Sequence, residues 1–127
     1  MRLQFITPCT KVTVLDNGIV HKVWFPDKAF TLEDVKKHVK ILNSQLRNGR
    51  FLFLADIRTT KRISKEVRDY LGANQEIIAL TKAGALLVGS NVSRVVANLF
   101  FKFNQPAFPT QLFTNEEAAI EWLLEQV

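Results

Sequence analysis

The chain is predicted to fold as an α/β protein with a mixed sheet of about five strands and about four helices, and three patterns carry that expectation. Residues 83–124 read as strand, helix, strand, helix with short connections. Two valine-rich runs flank Asn17-Gly18, as the arms of an antiparallel hairpin would. Between these regions, an amphipathic helix pattern leads into the continuously apolar Phe51-Leu52-Phe53-Leu54-Ala55. At 127 residues the chain can build one self-sufficient core and is too short for two ordinary domains, so residues 1–127 are taken as a single domain.

The first expected element runs from Lys11 to Asp16 and pairs with Ile19 to Phe25 across Asn17-Gly18, both of which tolerate the positive φ of a type I′ turn. Pro26-Asp27-Lys28 breaks the run. Thr31 then opens a helix whose Leu32, Val35, Val39, Leu42 and Leu46 recur at steps of three and four. Thr31 and Asp34 have the spacing of a capping box, and Gly49 is placed to end the helix. Lys36, Lys37, Lys40 and Arg47 form its solvated face.

Phe51 to Ala55, ending in Asp56, has the pattern of a central strand covered on both faces. Residues 56–63 follow as the loop at its C-terminal end. Ser64 is the expected N-cap of the next helix, Gly72 stops or kinks that helix, and a second helical piece from Asn74 to Thr81 buries Ile77, Ile78 and Leu80. Ala83 to Val88 reads as another buried strand. A helix from Val92 to about Phe103 follows, then a strand from Phe108 to Phe113. Thr114 to Glu117 forms a capping box for the last helix, which Trp122 and Leu123 pin to the sheet.

Composition narrows the function classes. Apolar residues make up 47% and charged residues 23%, and no stretch approaches the roughly 18–20 apolar residues of a membrane span. The first nine residues, interrupted by Gln4 and Pro8, lack the continuous apolar segment of a secretion signal, so a cytoplasmic location is expected. A lone cysteine, Cys9, excludes an internal disulfide and a paired-cysteine metal or redox motif. The net charge of +5 favours anionic partners in general. Nucleic acid is not the expected one, because the basic residues are not interleaved with aromatics and no helix reads as a recognition helix.

No catalytic constellation is visible. His21 on a strand and His38 on the first helix follow no metal or triad spacing and are expected at the surface or half-buried. No glycine-rich phosphate loop is present, and no cofactor is expected. Asp56, at the end of a central strand, is expected to anchor its loop. Arg58, Lys61, Arg62, Lys65 and Arg68 crowd one segment around the helix start at Ser64. Free N–H groups and several cations at one corner suit a phosphate, a phosphorylated partner or an acidic protein surface, with Ser64, Arg58, Arg62 and Lys65 as its residues. Leu99, Phe100, Phe101 and Phe103 offer more apolar surface than one side of a helix needs, which suits either a pocket or homodimer contact or, more plainly, Phe100 and Phe103 in the core with Phe101 packed on a neighbouring element.

Leu54-Ala55-Asp56-Ile57-Arg58, Gly84 to Val88, Asn98 to Pro106 with Phe108-Pro109, and Glu117 to Leu123 together resemble the SpoIIAA-like group of bacterial STAS domains. The resemblance covers nearly the whole chain and is most specific in the final forty or so residues. It implies a single STAS-like domain acting as a non-catalytic regulatory or protein-interaction module. In the anti-sigma-factor antagonists of this group, a serine at the helix start after a central strand is phosphorylated. Ser64 stands near that position here, preceded by Ile63 and followed by Lys65-Glu66 in place of the group's aspartate and serine-glycine. The group's likeness to small SEC14-like lipid-carrying domains implies an alternative, a small-ligand or lipid carrier.

Overall fold

The computed structural model describes residues 3–26, 31–45, 50–59, 64–89 and 107–127. Within them one sheet holds six strands in chain order: β1 (Leu3–Ile6), β2 (Thr10–Val14), β3 (Ile19–Trp24), β4 (Phe51–Asp56), β5 (Thr81–Leu87) and β6 (Thr110–Phe113). The first two pairings are antiparallel and the remaining three parallel. The described helices are α1 (Leu32–Gln45), α2 (Lys65–Ala73), α3 (Gln75–Leu80) and α4 (Glu116–Glu125). The expected helix at 92–103, with Leu99, Phe100, Phe101 and Phe103, lies outside the described residues, as do Gly49, Lys61 and Arg62.

The sheet has one strand more than expected. Leu3-Gln4-Phe5-Ile6 pairs antiparallel with Val14 to Lys11, and its half-buried Leu3 and Phe5 join the core while Gln4 and Ile6 face outward. Thr7 to Thr10 makes the connection: Thr7 N donates to Thr10 O at 2.8 Å and Thr10 N donates back to the Thr7 hydroxyl at 3.1 Å.

The β2–β3 hairpin forms, with its turn shifted by one residue from the expected centre. Gly18 N donates to Leu15 O, so Asp16 and Asn17 are the central residues, and Leu15 N donates to Ile19 O to close the loop. Gly18 carries the left-handed conformation, at φ +88°. Asn17 instead turns its Oδ1 to the amide of Ile19. A three-residue loop ending in a left-handed glycine matches strand twist as well as the two-residue turn does.

Helix caps follow local chemistry, with three corrections. Thr31 Oγ1 accepts from Asp34 N at 3.1 Å, but the Asp34 carboxylate does not complete the capping box because it is claimed by Thr7 and Thr10. At α4 the cap is Asn115, whose Oδ1 accepts from Ala118 N, one residue later than the expected Thr114. Asn74 closes α2 through its N–H to Tyr70 O and caps α3 through its side chain, so the chain turns there rather than at Gly72.

Two-residue periodicity divides the core between the sheet's faces. Ile19, Leu52, Leu54, Ala83, Ala85 and Leu87 pack against Ala119 and Leu123 of α4. The other face meets the remaining helices: Val12, Val14, Val20 and Phe51 pack on Val39, Leu42 and Leu80, while Trp24, Val35, Ile57, Val67 and Val88 form a neighbouring cluster with Cys9. Each fully buried Leu or Ile in these layers contributes about 1.5–3 kcal/mol.

Space is open around a Cβ added at Gly18, so only the backbone conformation opposes a side chain there. Gly18→Ala is expected to lower stability by about 1 kcal/mol, read as a reduced urea midpoint at unchanged slope.

Candidate functional site

The α1-facing side of the sheet carries Val20, Lys22 and Trp24 from β3, Phe53 and Ala55 from β4, Gly84 and Leu86 from β5, and Thr110 from β6. Alternation alone places them together. Ala55 and Gly84 contribute almost no volume in the middle of this face, and α1 and α3 reach over it with Val35, Val39, Leu42, Ile77 and Leu80. The result is a cavity of about 130 Å³ between the sheet and these helices, lined also by Phe108. An ideal Cβ on Gly84 would stand 3.5 Å from Phe108 Cε1, an ordinary contact, so a Cβ is accommodated at this point of the cavity wall.

Among the described residues, the cavity wall is apolar apart from three. Thr81 donates its hydroxyl to Ile77 O at 2.6 Å and Thr110 donates its hydroxyl to Phe108 O at 3.0 Å. Lys22 is the charged one, its Nζ held 5.0 Å from the centre of the Phe53 ring. Lys22 keeps part of its surface exposed, yet its surroundings push the ammonium pKa down to about 8, through burial against a smaller opposing effect of Asp34.

Beneath Trp24 lies a second polar group. Asp34, 4% exposed, accepts hydroxyl hydrogen bonds from Thr7 at 2.8 Å and Thr10 at 2.9 Å, both on Oδ2, and so ties α1 to the first two strands. The same oxygen lies 3.2 Å from His38 Nε2 without the alignment of a hydrogen bond. His38 is fully buried, against the expectation of a surface or half-buried ring. It lies three residues after Val35 and packs edge-on to Phe5 and beside Trp24. Burial, reinforced by the Lys22 charge, pushes its pKa down to about 3. His21 faces the opposite side of the sheet, its Nε2 3.7 Å from Glu116 Oε1. Among the described residues, no group of three His, Cys, Asp or Glu side chains is placed to hold a metal ion.

The basic corner is arranged around Asp56. Its carboxylate accepts from Arg58 N at 3.1 Å, from Nε at 3.0 Å and from Nη2 at 2.7 Å, which folds the loop back on the end of β4 and raises the Arg58 pKa. Gly89 permits this, because a Cβ there would stand 3.0 Å from Arg58 Cγ. Ser64 caps α2 by accepting from Val67 N at 3.2 Å, and Lys65 pairs with Asp69 at 2.7 Å on the exposed face of the helix. Ser64 and Lys65 therefore share one helix start. The Arg58 guanidinium is turned to Asp56, and Arg62 and the side chain of Arg68 lie outside the described residues. Among those residues no helix is long and apolar enough to cross a membrane.

Lys22 and the cavity were not singled out from the sequence. The signal for Lys22 was present, since period-two alternation puts it between Val20 and Trp24 on one face. The cavity has no such signal, because its space comes from small residues on two strands meeting side chains from two helices.

Residues 13–127 match the family described as Domain of unknown function (DUF7793). No curated protein matches the chain. Among solved structures, an uncharacterised protein of the DUF3478 family from Shewanella loihica PV-4, with a SpoIIAA-like fold, superimposes with a TM-score of 0.62 at 16% identity, covering 97% of each chain. That similarity bears out the SpoIIAA-like resemblance and the fold class. A protein of unknown function from Arthrobacter sp. FB24 is 32% identical over 88% of this chain and 96% of its own, with a TM-score of 0.32.

His38 supplies a test of the site's electrostatics. With a pKa near 6.5 unfolded and about 3 folded, the unfolded chain binds the extra proton between those values, so this residue's effect on stability is complete above pH 6.5 and is lost as pH falls towards 3. The loss is on the order of a few kcal/mol. His38→Leu, which gives up no hydrogen bond among the described residues, is expected to flatten that acid limb in urea titrations between pH 7 and 4.

Proposed function

Because the chain belongs to the DUF7793 family and is built on a SpoIIAA-like frame, we propose that it is a non-catalytic, STAS-like binding module that holds a small apolar molecule between its sheet and α1. The observation that carries this reading is the cavity of about 130 Å³ flanked by Trp24, Leu42, Phe53 and Leu86. Its size matters. A 150 Å³ apolar cavity takes benzene, whereas drug-sized ligands need about 300 Å³ or more, so the occupant is a compact molecule and not a two-chain lipid. The lipid-carrier alternative is thereby narrowed to a carrier or sensor of small molecules. Binding would bridge the sheet to α1 and α3 and so stiffen the contact between those layers.

A second reading, protein interaction, draws on β1. Among the described residues this strand pairs on one side only, and Ile6 on it is 68% exposed. An open edge with an exposed apolar residue accepts an added strand from a partner protein, a second copy included. Ile6→Lys would then abolish a dimer seen by light scattering and leave the folded monomer intact.

Toluene tests the main reading. Titration into the wild-type protein is expected to shift the amide and side-chain NMR signals of Trp24, Phe53, Gly84 and Leu86. Gly84→Val, which fills the cavity from β5, is expected to weaken toluene binding by at least about tenfold without lowering the melting temperature. Shifts confined to other parts of the surface, or unchanged affinity in Gly84→Val, would refute it.

A further inference from the structure

We propose that the molecule this cavity takes is a small carboxylate with an apolar body, its charged end on the Lys22 ammonium and its body among Trp24, Phe53 and Leu86. The inference rests on the cavity reading above and adds the chemistry of the occupant.

Lys22 is fixed where it is by the strand. It pairs with Ala55 on β4, and a rotation that carried it to the α4 face would take Val20 and Trp24 out of the core with it. A lysine in the second half of a strand, lining an apolar space, is a costly residue to place unless its charge is used. Its Nζ has the face of Phe53 as a partner and, among the described residues, no carboxylate within ion-pair distance. Asp34 is near enough for its charge to be felt, but both hydrogen bonds on its Oδ2 come from Thr7 and Thr10. The ammonium therefore has donor capacity left for a ligand.

The remaining wall selects what that ligand is. The hydroxyls of Thr81 and Thr110 are already given to backbone carbonyls, so a multiply charged group such as phosphate would leave oxygens without donors. A carboxylate asks for less: one cation at its charged end, and aromatic and aliphatic surface around the rest. That single charge pair favours the carboxylate over its neutral analogue. About 130 Å³ accommodates an apolar body of roughly six to nine non-hydrogen atoms, the size of benzoate or hexanoate.

Benzoate and toluene, titrated separately into wild type, Lys22→Met and Lys22→Arg at pH 7 and fixed ionic strength, distinguish charge from shape. Wild type is expected to bind benzoate at least about tenfold tighter than toluene. Lys22→Met is expected to lose that preference and to melt at no lower temperature than wild type. Lys22→Arg should retain a preference for benzoate, and Lys22→Gln replaces the methionine variant if that protein does not fold. Equal affinity of wild type for the two probes, or an unchanged benzoate preference in Lys22→Met, overturns the carboxylate proposal and leaves the cavity reading standing. Failure of both probes to bind wild type overturns the two together.

Discussion

A sheet covered on both faces allows no residue a neutral position, and this constraint governs the rest of the molecule. Every side chain of β3, β4 and β5 belongs either to the layer under α4 or to the layer under α1 and α3. The buried apolar members of the α4 layer run from Ile19 through Leu52, Leu54, Ala83, Ala85 and Leu87, with the Asp56 carboxylate at the end of β4 on the same face. The opposite layer differs in its middle. There the same periodicity delivers a lysine, an alanine and a glycine to adjoining positions, and that face holds a space with a charge on its wall. The difference between the two faces is the main reason to locate function on the α1 side.

The polar interior beside that space is tied to the N-terminal strands. Two threonine hydroxyls converge on one carboxylate oxygen, so Asp34 joins α1 to the turn between β1 and β2 more specifically than apolar packing could. His38 lies against the same oxygen as a neutral ring, its charging opposed by burial and by Lys22. These groups form a graded interior: hydrogen-bonded polar atoms at the hairpin end, Trp24 between, and the lined space beyond.

Much of the fold was legible in local patterns, and the departures share a cause. The steps of three and four in α1, the apolar run of β4, the Ser64 cap and the alternating last third each depend on residues near one another in the chain. Strand β1 escaped because four residues, half of them outward-facing, carry too little periodicity, and pairing with β2 defines them. The caps at Thr31 and Asn115 differ in detail because a side chain with several acceptors goes to the best donors in space. For Asp34 those donors were about twenty-five residues away along the chain. Attention to charge in the loop after β4 found residues whose carboxylate partners lie close by, Asp56 for Arg58 and Asp69 for Lys65. The isolated lysine in a strand was the more informative cation, visible as a break in an apolar face.

The cavity under α1 also bears on how this protein answers compression. Internal space of about 130 Å³ is lost when the chain unfolds, and unfolding volumes scale with the internal space eliminated. Hydrostatic pressure therefore favours opening of the layer between the sheet and α1.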